Sequence, residues 1–170
     1  MPLVLNGTTG VQDNSGAFVR GTSVASTSGT SIDFTSIPSW VKRITLLMNQ
    51  VSTNGSSIFR VQLGTSSGVT TSGYYGNVVD AGGSVRATYT DGFSLALYGN
   101  ASYTFNGTLF IHNISSNVWM IMGTIGPSTN DAGGTVCGGI SLAATLDRVR
   151  LTTVNGTDTF DNGSVNILYE

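Results

Sequence analysis

Charge is the scarcest feature of this chain. Charged residues make up 9% of its 170 positions, against about 25% in an ordinary soluble domain. Lysine occurs once, at Lys42, and glutamate once, at Glu170. Amphipathic helices draw their polar faces from such residues, so essentially no helix is expected. Six scattered arginines and a formal net charge of −2 form no basic stripe. Nucleic acid held through its phosphates is therefore not expected as a partner. The single cysteine, Cys137, excludes an internal disulfide and reads as a small buried hydrophobe. The single histidine, His112, has no second His or Cys cluster to complete a zinc site. Long apolar runs are missing too. "ITLLM" and "VWMIM" fall far short of the ~20 residues that span a bilayer, and "MPLVLNGTTGVQ" lacks the basic start of a secretory signal. No membrane insertion is expected.

What the chain does contain is glycine, 23 residues of it, with Ser and Thr filling about a quarter of all positions. Val, Ile, Tyr and Phe are interspersed among them. Such a mixture favours strands and turns over helices. At this length a domain buries roughly 70% of its unfolded surface, so a core needs neither metal nor disulfide. In "WVKRITLLMNQ" Ile44, Leu46 and Met48 share one face, and beyond Asn54-Gly55 so do Phe59, Val61 and Leu63. Pro38 marks a corner and Trp40 a large plug beside it. "FSLALYG" reads as a strand, "GTLFIHNI" and "VWMIMGTI" as a hairpin, and "CGGISLAA", "DRVRLTTV" and "SVNILY" as the remaining strands. The glycine-punctuated middle, with Tyr74 and Tyr75, reads as long loops.

These patterns predict an all-β, antiparallel β-sandwich of a jelly-roll-like kind, with about eight strands and an extended N-terminal arm. Residues 1–20 are expected to form the attachment arm, 21–30 a linker or an edge strand, and 31–170 the sandwich. Leu3, Val4, Leu5, Val11 and Phe18 are the candidate attachment residues of the arm. Five Asn-Gly pairs, at Asn6, Asn54, Asn106, Asn155 and Asn162, suit hairpin turns that need positive φ, with Asn106 also placeable within or beside a strand. The last strand, "SVNILYE", has no cleanly polar face, so pairing on at least one side is expected.

The search for chemistry returns little. Catalytic and metal-binding residues are expected to be none, and no cofactor is called for. His112 reads as a packed side chain. Eight aspartates could supply a glycosidase pair, yet no spacing selects one. Asp158 and Asp161 in "GTDTFDNGS" lack the alternating register of a calcium loop and read as turn and cap residues. The Asn-x-Ser/Thr matches are mostly Asn-Gly pairs, which turn chemistry explains. Tyr74 and Tyr75 remain as candidate aromatics, either for sugar stacking or for contact across a subunit interface.

Three blocks in order, "SGTSIDFTSIPSWVKRITLLMNQVSTNG", "FRVQLGT" with "GVTTSGY", and "TLDRVRLTTVNGTDTFDNGSVNILYE", resemble the terminal domains of tailed-bacteriophage and prophage virion proteins of the tail-fibre type. The opening "LNGTTGVQ" is similar to a segment that precedes such domains. The resemblance implies a non-enzymatic virion protein, a homotrimer, with its sandwich outward and its amino-terminal arm toward the particle. Partners would be copies of itself and other capsid or tail proteins. Met1 stands only about 20 residues before the domain, where large fibres carry a long shaft, which favours a capsid decoration, cement or short spike protein. A tail-fibre or tail-tip module binding a host-surface glycan or receptor is the alternative.

Overall fold

Alternation in "RITLLMNQVST" builds one of the two longest strands of the sandwich, with Ile44, Leu46 and Met48 turned into the core. The computed structural model describes residues 18–87, 89–96, 98–129 and 133–170, the backbone alone at 87, and the backbone of 5–6 and 10–11. Among the described residues the strands are β1 (Leu5–Asn6), β2 (Gly10–Val11), β3 (Val19–Arg20), β4 (Val24–Ala25), β5 (Ser31–Phe34), β6 (Arg43–Thr53), β7 (Phe59–Thr65) and β8 (Gly68–Val69). They continue with β9 (Tyr75–Asp80), β10 (Val85–Ala87), β11 (Phe93–Ser94), β12 (Phe105–Ser115), β13 (Val118–Pro127), β14 (Gly134–Ser141), β15 (Arg148–Thr153) and β16 (Phe160–Tyr169).

Two antiparallel sheets face each other across one apolar cluster. The nine-stranded sheet runs β10-β9-β14-β13-β12-β6-β16-β3, with β4 also on β16. The five-stranded sheet runs β11-β7-β15-β5, with β8 on β7. The long strands pair as nested partners: β6 with β16, β7 with β15, β9 with β14, and β12 with β13. Such nesting is a long hairpin folded over itself, the jelly-roll relationship. One feature departs from an even split. The β12-β13 hairpin joins β6 on one side and β14 on the other, so three of the four pairs lie in one broad sheet.

The core between the sheets is aliphatic at its centre, with Ile44, Leu46, Leu63, Leu109, Ile121 and Leu151 fully buried. Toward the Thr53 end of β6 it becomes aromatic. Phe59 meets Phe105 edge-on at 5.3 Å and lies nearly parallel to Phe160 at 6.1 Å. Geometries of this kind add about 0.5–1.5 kcal/mol per pair beyond area burial. At the other end Trp40, the expected plug, packs on Tyr169 at 5.9 Å.

Four of the five Asn-Gly pairs are not hairpin turns, whereas Asn6 ends β1 opposite Gly10 of β2. Asn54-Gly55 and Asn155-Gly156 lie in connections that cross between the two sheets, while Asn106-Gly107 and Asn162-Gly163 lie inside β12 and β16 at bulges. Both bulges flank the same irregularity in β6, where Gln50 takes φ 53°. Asn106 Oδ1 accepts the Gln50 amide at 2.9 Å from one neighbour, and Asn162 Nδ2 donates to the Gln50 carbonyl at 2.8 Å from the other. Backbone groups that the ladder loses are thus recovered by side chains. Gly163 is required there: its φ is 94°, and a Cβ would collide with the backbone carbonyls of Asn49 and Gln50.

Two other expectations change. The middle segment is less loop than expected, because Tyr75–Asp80 is a strand hydrogen-bonded to β14. "FSLALYG" is strand only at Phe93–Ser94, after which Leu95 still donates to the Phe59 carbonyl. Residues 21–30, open between linker and edge strand, include β4 paired to β16. As expected, β16 is paired, and on both sides: β6 on one, β3 and β4 on the other.

Candidate functional site

Side chains that β12, β13 and β14 cannot send into the core go to the outer face of the broad sheet. Leu109 and Ile111 are fully buried, so Phe110 between them points outward and is 38% exposed. Ile121 is likewise inward and Met122 outward, 49% exposed. Cys137, expected as a buried hydrophobe, is exposed because Val136 beside it takes the inward position. Register places these residues in one row across the sheet: Leu168 opposite Thr45, Thr45 opposite Phe110, Phe110 opposite Met122, and Met122 opposite Cys137. A parallel row, Leu47, Thr108, Thr124 and Thr135, runs beside it.

Between the two rows lies a shallow, mainly apolar depression of about 480 Å³, with Phe110, Met122 and Cys137 on one side and the threonines on the other. None of the residues lining it is charged. Contiguous exposed apolar surface of this kind marks an interaction site more often than isolated surface hydrophobes do.

The two candidate tyrosines part company. Tyr75 is 63% exposed on the same outer face, with its ring over Gly139, where any Cβ would meet the phenol. Tyr74, by contrast, is 3% exposed and belongs to the core. Its hydroxyl accepts from the Leu63 amide at 2.7 Å and donates toward the Leu63 and Thr70 carbonyls, and its ring meets Phe93 edge-on at 4.8 Å. Burial pushes the phenol up to about 12, partly offset by the Leu63 hydrogen bond. Tyr74 is thus a structural residue, unavailable to a ligand or a neighbouring subunit. Adjacent residues of an extended segment point to opposite sides, which is the signal that separates the pair.

Of the arm candidates, Leu3 and Val4 lie outside the described residues. Leu5 pairs with Val11 in the β1-β2 ladder, a two-stranded sheet of its own. Phe18 is 62% exposed where the chain joins β3. The arm residues and Tyr75 are not brought together with one another in the described structure.

The chemistry-bearing residues are occupied structurally. His112 is half-buried beside Phe110, with ring centroids 6.3 Å apart. Asp158 accepts from the Ser57 amide at 2.9 Å and from Asn155 Nδ2 at 2.6 Å, and Asp161 accepts from Ser52 Oγ. Asp91 binds Arg60 and, through its carbonyl, Gln62 at 2.6 Å, folding the 89–92 loop over β7. Asp33 holds Arg150 through two bonds of 2.7 and 3.0 Å, which raises the guanidinium pKa. Among the described residues, no group of three His, Cys, Asp or Glu could hold a metal ion.

No protein-family model matches the chain, and neither the curated proteins nor the solved structures searched contain a match.

Proposed function

We propose that this chain is a non-enzymatic bacteriophage virion structural protein, a homotrimeric capsid decoration, cement or short spike protein exposed on the particle. The observation that carries the reading is the uncharged depression on the outer face of the nine-stranded sheet, where Phe110 and Met122 are exposed, with Tyr75 exposed on the same face. An uncharged, partly apolar depression can meet a second copy of itself without desolvating ions. The sandwich behind it is broad and doubly paired, a rigid platform for such contacts. The order of sequence blocks resembling phage virion domains supplies the setting, and the 1–20 segment supplies a candidate arm for other capsid or tail proteins.

Labelling of purified particles tests this reading. Copies spread over the shell are expected; a few copies confined to the tail would overturn decoration in favour of the second reading, a tail-tip module for a host glycan or receptor. That second reading draws on Tyr75, whose exposed ring could stack on a sugar.

A further inference from the structure

At the end of β6 away from its bulge, three connections converge: 38–42 between β5 and β6, the Ser116-Asn117 turn between β12 and β13, and Thr145-Leu146 between β14 and β15. They surround a pocket of about 80 Å³ with mainly polar walls. That space holds several waters, and so has room for a carboxylate.

The lining offers donors and no acid. Lys42 is the only lysine of the chain, is exposed, and takes part in none of the ion pairs among the described residues. The Lys42 and Arg43 amides donate to the Glu170 main-chain oxygen at 2.8 and 2.9 Å, while the Glu170 side chain pairs with Arg43 rather than with Lys42. Trp119 also lines the pocket. It is 4% exposed, and its indole Nε1 has no hydrogen-bond partner in the protein. Buried indole N–H groups nearly always find an acceptor, so an acceptor from outside the chain is wanted here. Ser39, Ser116, Asn117 and Thr145 add hydroxyl and amide groups around the opening.

We infer that this pocket receives the carboxylate of an acidic sugar, whose hydroxyls meet the surrounding hydroxyl and amide groups. Lys42 supplies the charge, Trp119 a neutral donor, and the rim the hydrogen-bonding groups that a polyol matches. The pocket shares no lining residue with the depression at Phe110 and does not depend on the assembly proposed above.

The two indole N–H resonances of the ¹⁵N-labelled full chain provide the test, with Trp40→Phe identifying which belongs to Trp119. Glucuronic acid and glucose, which differ at the carboxylate, are titrated alongside N-acetylneuraminic acid, acetate and inorganic phosphate. The Trp119 resonance is expected to move saturably with the acidic sugars and to stay fixed with glucose. Lys42→Met, at an exposed position, is expected to weaken binding about tenfold or more while leaving the rest of the spectrum unchanged. Three outcomes overturn the inference: no movement with any probe, which leaves only water in the pocket; equal response to acetate or phosphate, which makes it a free-anion site; or undiminished binding by Lys42→Met.

Discussion

Replacing Gly163 with alanine isolates the double bulge that shapes the broad sheet. Two effects act at that position. With φ at 94° the alanine is strained, and left-handed backbone costs an L-residue about 1–2 kcal/mol. Its Cβ also enters the space of the Asn49 and Gln50 carbonyl groups, which belong to backbone and cannot rotate away. Moving them disturbs the Asn106 and Asn162 bonds that hold Gln50. Against this, alanine restricts the unfolded chain and returns about 0.4–1 kcal/mol. A net loss of about 2–4 kcal/mol follows, in the range of substitutions that break a special backbone site. Gly156 provides the internal control, because its φ is 67° and a Cβ there meets nothing within 4 Å. Gly156→Ala is therefore expected to lose about 1 kcal/mol, the conformational part alone. Both are measured by guanidinium unfolding followed by tryptophan fluorescence, with the denaturant slope held as a check on two-state behaviour. If Gly163→Ala comes within about 0.5 kcal/mol of Gly156→Ala, the close packing of β16 against the bulge is refuted.

Tyr74→Phe leaves the Leu63 amide without its phenol partner and is expected to destabilise the fold by about 1–3 kcal/mol, read from the same unfolding curves. Because the folded Tyr74 pKa lies above its unfolded value of 10.0, at about 12, its contribution is complete below pH 10 and is lost as pH rises toward 12. That loss amounts to roughly 3 kcal/mol and should vanish from the pH dependence of Tyr74→Phe. Asp33→Asn opens the bidentate Arg150 pair at a half-exposed site, so a loss below about 1 kcal/mol that shrinks with added salt is expected from melts at low and high salt. Phe110→Ser with Met122→Ser should remove self-association and lower the unfolding midpoint only by the concentration-dependent part that assembly contributes, since both side chains are on the solvent face of one subunit.

Strands whose two faces differ were legible from the sequence. Ile44, Leu46 and Met48, or Phe59, Val61 and Leu63, announce a buried face by period alone, and the structure buries all six. The outer-face site was harder to see for the opposite reason. In β12 and β13 apolar residues occupy both faces, so Phe110 and Met122 look like core until the inward places of Leu109, Ile111 and Ile121 are known. Cys137 misled in the same way, because its chemistry favours burial while its neighbour Val136 already holds the inward position. The positive φ expected at the Asn-Gly pairs is found at Gly156 and Gly163 and not at Gly55 or Gly107, and local sequence does not say whether such a pair serves a turn or a bulge set by strands a hundred residues away. Gln50 and Asn162, bonded across 112 positions, make that dependence concrete.

The central claim, assembly through the outer face of the broad sheet, is tested most directly by the mass of the protein in solution by light scattering. A species three times the 17.6 kDa chain is expected, reduced to 17.6 kDa by Phe110→Ser with Met122→Ser. A parent that stays monomeric as concentration rises, or a trimer indifferent to both substitutions, would contradict it.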